Sequence, residues 1–127
     1  MLRIICCWLL IGVATPARAD DPLSAGIELY NQGEFEAAVR SLDDALRTEL
    51  RREVRARGHL YRGLAQALLN AWPDARGSFE QALRADPEIR PDRDRVAPPI
   101  AEAFDEVRRG LRSQLEVVSS TTAFVTV

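Results

Sequence analysis

The chain has 127 residues and a formal net charge of −2, and all 17 of its basic residues are arginine. This length suits one small domain with one hydrophobic core. A mildly acidic chain lacks the basic surface that nucleic-acid binding requires, so we exclude nucleic acid as a partner.

The first 19 residues have the pattern of a secretory signal peptide. Arg3 is followed by the uncharged, mostly apolar residues 4–13, and Ala17 and Ala19 are the small residues that signal peptidase recognises. We therefore predict cleavage after Ala19 and a periplasmic or secreted mature chain. The apolar run is about half of the ~20 residues that span a bilayer, so a retained anchor is the less favoured alternative. No permanent membrane span is expected after cleavage.

Both cysteines of the chain, Cys6 and Cys7, lie inside this predicted signal peptide. The mature chain then has no thiol for a disulfide, a thiolate metal site or a cysteine nucleophile.

Two amphipathic helices are predicted next. The first covers residues 23–32 and ends at Gly33, because glycine readily takes the left-handed conformation of a helix C-cap. The second covers residues 34–47. Its apolar face has the spacing i, i+4, i+7, i+8 and consists of Ala38, Leu42, Ala45 and Leu46. The charged residues 51–57 either prolong this helix or link it to the next one.

The next two predicted helices complete a second pair. Residues 60–69 are apolar nearly all round, so they predict the most buried helix. A turn at residues 70–74 leads into a helix that ends near Arg84, because Pro87 disfavours helical geometry in the residue before it.

The remaining residues predict a linker, a helix and a tail. Residues 88–99 are polar and interrupted by prolines, and residues 100–115 form a helix that caps the fold. Residues 116–127 are rich in valine, threonine and serine and have β propensity. Because a lone strand cannot bury itself, we expect a strand-like or disordered tail, or the start of a further β domain.

The helical pattern recurs at an offset of 37 residues, as from Ala38 to Ala75. The apolar face of the second helix recurs as Ala75, Phe79, Ala82 and Leu83. Gly26 falls on Gly63, mid-helix, where glycine costs about 1 kcal/mol unless a neighbouring helix packs close. Gly33 likewise falls on Asn70, at a turn. Residues 20–87 therefore predict an all-α fold of two antiparallel helix-turn-helix units, the start of a short α-solenoid. A plain helical bundle is the competing interpretation.

These units resemble the tetratricopeptide repeat family. The first unit matches its pattern at Gly26, Gly33, Ala38, Leu42 and Ala45. The second unit matches at Gly63, Asn70, Ala75, Phe79, Ala82 and Pro87. Departures are Pro22 and His59 in place of the early tryptophan, Leu50 in place of the first closing proline, and a period longer than the usual ~34 residues. Residues 98–108 are also similar to a capping segment that follows such repeats in exported bacterial proteins.

The resemblance implies that a partner segment binds on a concave face lined by the first helix of each unit. The groove candidates by position are Ile27, Tyr30, Asn31, Arg57, Leu60 and Leu64. Tyr30 offers an apolar ring with a polar tip, Asn31 could hold a peptide backbone group, and Arg57 a carboxylate. Leu60 and Leu64 have an alternative role in the core.

No catalytic, cofactor or metal site is predicted. His59 is the single histidine and has no second histidine or cysteine in the mature chain to share a metal. The serines lack a nucleophile motif, and the glycines do not form a phosphate loop. The acidic residues 86–94 lack the glycine of a calcium loop and alternate with arginines, so we interpret them as a solvated, self-neutralised linker.

The sequence therefore predicts a non-catalytic scaffold or adaptor of the bacterial periplasm or cell envelope that binds another protein or a peptide segment. The alternative is a structural or assembly subunit that acts through self-association.

Overall fold

The computed structural model describes residues 21–124 of the chain, so the predicted signal peptide and residues 125–127 lie outside the described residues. The helices are α1 (Ser24–Asn31), α2 (Phe35–Leu46), α3 (Arg52–Leu68), α4 (Trp72–Ala85) and α5 (Pro98–Phe124). No strand occurs in this range, which confirms the all-α prediction. None of the five helices is long and apolar enough to cross a membrane.

The two inter-helix turns share one hydrogen-bonding pattern. Gly33 has φ +82° and Asn70 has φ 59°, both in the left-handed region. After each of them, a backbone N–H donates to the carbonyl five residues earlier, which satisfies an acceptor at the helix end. These bonds run from Glu34 to Leu29 and from Ala71 to Gln66, both at 2.9 Å. The repeat seen in the sequence is thus a repeat of backbone geometry.

The helices of each unit approach closely at Gly26 in α1 and at Gly63 in α3. A Cβ placed on Gly26 would lie 2.6 Å from Cγ of Leu42, and one on Gly63 would lie 2.6 Å from Cδ1 of Phe79. Among the other signature residues, Ala38, Ala75 and Ala82 are fully buried. Ala45 is half-buried and Pro87 is exposed.

The charged residues 51–57 belong almost entirely to α3, which begins at Arg52. Arg55 explains how this stretch joins α2: its guanidinium donates to the carbonyl oxygens of Leu46 and Thr48, each at 3.2 Å. The last carbonyls of a helix have no partner within the helix, so Arg55 supplies donors to the end of α2.

A polar network joins α2, α3 and α4. Arg62 donates to Asp43 at 2.7 Å and to the hydroxyl of Ser78 at 3.0 Å, and that hydroxyl donates to Gln66. Ser78 is 1% exposed. Its hydroxyl is therefore fully engaged in holding the helices together.

The fifth helix completes the core. Ile100 and Phe104 join the cluster that contains Leu64 and Phe79, and the rings of Phe79 and Phe104 meet edge-to-face at 5.4 Å between centroids. Two repeat units leave one helix face uncovered, and α5 covers it.

The prediction of a strand-like tail over residues 116–127 is wrong for residues 116–124, because α5 continues unbroken to Phe124. A helix satisfies its own backbone hydrogen bonds, whereas a lone strand has no neighbour to pair with. The need to satisfy the backbone hydrogen bonds outweighs the β propensity of the valines and threonines.

Candidate functional site

A cleft of about 390 Å³ lies between α1, α3 and the segment that precedes α5. We call it the tyrosine cleft. It is lined by five of the six predicted groove residues: Tyr30, Asn31, Arg57, Leu60 and Leu64. The sixth, Ile27, does not line it. Leu60 and Leu64 belong to the buried core, as the alternative interpretation expected, and they line the cleft as part of that core.

Two tyrosines form an aromatic wall of the cleft. The rings of Tyr30 and Tyr61 meet edge-to-face at 5.4 Å between centroids. Burial and the neighbouring Tyr61 raise the pKa of Tyr30, so its hydroxyl keeps its proton and can donate a hydrogen bond. Sequence reasoning missed Tyr61 as a groove residue, although its helical spacing from Arg57 and Leu64 was a usable signal.

Arg57 is already paired within the chain. Its Nη2 donates to Oδ2 of Asp21 at 2.6 Å, and the other carboxylate oxygen of Asp21 accepts the N–H of Leu23 at 3.1 Å. Nε of Arg57 is buried and has no hydrogen-bond partner among the described residues. The side chain of Arg57 is 44% exposed, so its guanidinium lies partly in solvent beside the cleft.

The segment before α5 is a wall of the cleft, which its polar composition did not predict. Ile89 and Val96 pack against the core, and Pro91 is buried. Arg93 in this segment donates to Asp105 of α5 at 2.7 Å. The segment is thus held by apolar residues that pack against the core and by an ion pair with α5.

The charges around the tyrosine cleft are balanced. The lining residues include three arginines and three carboxylates. They are Arg57, Arg90, Arg95, Glu53, Asp86 and Asp92. Because neither sign dominates, we expect Leu60, Leu64 and the two tyrosines to determine which side chains the cleft accommodates.

His59 does not line the tyrosine cleft and is half-buried on α3. Its pKa is lowered from 6.5 to about 4, mainly by burial and further by Arg62 and Arg55, with Asp43 opposing them. The imidazole is therefore neutral near pH 7, and its buried Nδ1 has no partner among the described residues. Within residues 21–124, no three histidine, cysteine, aspartate or glutamate side chains are grouped to hold a metal ion.

Lowering the pH from 6.5 to 4 should reduce the free energy of unfolding by about 1–2 kcal/mol through His59. The unfolded chain takes up the proton first, because the pKa is lower in the folded state. The contribution is thus fully present above pH 6.5 and is lost as the pH falls to 4. Solvent around the half-exposed ring limits its size.

The measurement is urea unfolding, followed by circular dichroism, of the parent chain and of His59→Gln across this pH range. Carboxylates titrate in both proteins, so the difference between them isolates the histidine. If the two stability profiles run parallel from pH 6.5 to pH 4, this account of His59 is wrong.

The comparisons with known proteins point to one family. No curated protein and no solved structure matches the chain. The family model described as tetratricopeptide repeat matches residues 23–88, which hold both helical pairs, α1–α2 and α3–α4. Such repeats generally mediate protein–protein interactions and are generally not catalytic. The chain therefore belongs to the tetratricopeptide repeat family.

Proposed function

We propose that the chain is a non-catalytic scaffold or adaptor of the bacterial periplasm or cell envelope, and that it binds a segment of another protein in the tyrosine cleft. One observation supports this most. Groove residues assigned from the repeat register, on two different helices, lie around a single cleft.

The size of the cleft indicates what it holds. Ligand pockets span about 300–1,000 Å³, and the tyrosine cleft is at the small end of that range. It accommodates a few side chains of an extended peptide rather than a whole helix. An apolar or aromatic side chain would pack on Leu60 and Leu64 beside the two tyrosines.

Polar groups at the rim would fix the peptide. Tyr30 and the side chain of Asn31 can bond to its backbone, and the guanidinium of Arg57, whose side chain is 44% exposed, can donate to a carbonyl or carboxylate oxygen. A carboxylate of the partner would compete with Asp21 for Arg57, so binding a charged group there would require exchange of the ion pair.

The proposed compartment rests on the sequence. The basic start, the apolar residues 4–13 and the small residues before position 20 support export by a cleaved signal peptide.

Capture from a native envelope extract, with each variant as bait, tests this function. We expect Tyr30→Ala and Arg57→Glu to lose at least about 90% of the partner that the parent chain retains, because each removes a cleft contact. Arg40→Glu is the matched charge reversal on the exposed face of α2, away from the cleft, and should retain the partner.

Circular dichroism must show the same helix content for all four proteins. Retention of the same partner by Tyr30→Ala and Arg57→Glu would exclude the tyrosine cleft as the binding site. Equal loss with Arg40→Glu would show that the partner recognises another surface.

A further inference from the structure

The apolar stripe of α5 continues beyond the core. Phe104 is fully buried, and Val107 and Leu111 pack partly against the core. The next position of the same stripe, Leu115, is 67% exposed. The helix thus carries apolar surface farther along its length than its own chain covers.

A second cleft of about 640 Å³ lies between this part of α5 and the end of α4. We call it the α5 cleft. Leu83 and Pro87 line one side, and Leu111 and Leu115 line the other. It shares no lining residue with the tyrosine cleft.

The charged residues of the α5 cleft are mostly basic. Arg84, Arg108 and Arg112 line it, against one carboxylate, that of Glu88. Arg84 is paired with Glu80 at 2.6 Å and Arg108 with Asp105 at 3.8 Å, whereas Arg112 makes no ion pair among the described residues. Nε of Arg108 is buried without a hydrogen-bond partner in the same part of the chain.

The dimensions suit a helix. The first and last lining residues on α5 are Arg108 and Val118, which lie about 15 Å apart along the helix, or three turns. An apolar floor of that length with charge along its edge is the surface onto which an amphipathic helix packs.

We propose that the α5 cleft binds an amphipathic helix of another protein in which carboxylates flank the apolar stripe. The leucines and Pro87 would cover the apolar stripe, and Arg112 would pair with a flanking carboxylate. This site is separate from the tyrosine cleft and does not depend on the function proposed for it.

A second copy of the chain fits less well. The stretch of α5 that it would insert carries Arg108, Arg109 and Arg112 against the single carboxylate of Glu116. Such pairing would bring arginines of the two copies together, and like charges across an interface disfavour association.

Two synthetic 18-residue helices with the same leucine stripe, one flanked by glutamates and one by lysines, test the proposal by fluorescence anisotropy. We expect the purified chain to bind the glutamate helix about tenfold more tightly than the lysine helix. Arg112→Glu should remove this preference. Arg109→Glu should keep it, because it makes the same charge change on α5 but does not line the cleft.

Leu115→Glu should abolish binding of both helices, whereas Val117→Glu, at a similarly exposed position outside the cleft, should not. Both positions are exposed, so circular dichroism should show intact folds. Equal affinity for the two helices, or a preference unchanged by Arg112→Glu, overturns the proposal. So does loss of binding in Tyr30→Ala, which would place the helix in the tyrosine cleft. Sedimentation that reveals a dimer dissociated by Leu115→Glu would assign the α5 cleft to a second copy instead.

Discussion

Replacing Gly63 with alanine should lower the free energy of unfolding by about 1–3 kcal/mol, the usual cost of overpacking a core. The same replacement at Gly77 should raise it by about 0.5–1 kcal/mol, because alanine favours a helix over glycine. Both glycines lie inside helices of the same unit, so the opposite signs reflect packing alone.

The contacts of the added methyl group decide the outcome at Gly63. Its Cβ would lie 2.6 Å from both Cδ1 and Cε1 of Phe79 and 3.2 Å from the backbone oxygen of Ala75. The phenyl ring cannot retreat, since it is fully buried and packs against Phe104. To make room, α3 and α4 would have to separate.

At Gly77 the added methyl group meets no atom within 4 Å. Gly110 is equally open and serves as a second control on α5. Guanidinium unfolding followed by circular dichroism compares the three variants with the parent chain. A Gly63→Ala protein as stable as the parent would show that α3 and α4 do not pack as closely as the structure indicates.

The repeat could be predicted from sequence because its determinants are local. Gly33 and Asn70 are residue types that tolerate a left-handed turn, and the apolar positions follow the period of a helix. Gly26 and Gly63 mark the close approaches. Each of these signals depends on residues within one helical pair, so a spacing rule recovers them.

The walls of the tyrosine cleft could not be predicted in the same way. Ile89 and Val96 are isolated apolar residues among charged ones, and a segment without regular structure has no period that shows which residues face inward. The ion pair of Arg57 with Asp21 joins residues far apart in the chain, and the spacing of nearby residues in the sequence does not reveal such a pair. The sequence pattern therefore predicted most of the residues that line the cleft on α1 and α3, but none of those in the segment before α5.

The length of α5 was underestimated for a related reason. The valines and threonines after Glu116 have β propensity, but propensity is a weak guide where tertiary context decides. A helix already fixed at Phe104 extends by adding one hydrogen bond for each residue, which is easier than starting a new element. The apolar stripe of helical spacing reaches only to Leu115, where the predicted helix also ends.

The second large effect concerns how α5 is attached. Phe104→Ala should lower the free energy of unfolding by about 3–5 kcal/mol, as expected when a fully buried aromatic side chain is removed and leaves a cavity. The free energy of unfolding of native domains is about 5–15 kcal/mol, so this loss would be a substantial part of the total stability. Urea unfolding followed by circular dichroism measures the loss.

The matched control is Leu115→Ala on the same helix, which should change stability by less than about 0.5 kcal/mol because that side chain is 67% exposed. A small effect of Phe104→Ala would mean that the two repeat units are stable without α5. The structure argues otherwise. Phe79 is fully buried and its ring meets that of Phe104 edge-to-face, so α5 packs on the core face of the last repeat helix. Repeat units need a neighbour on each apolar face, and in this chain α5 takes the place that a third unit would fill.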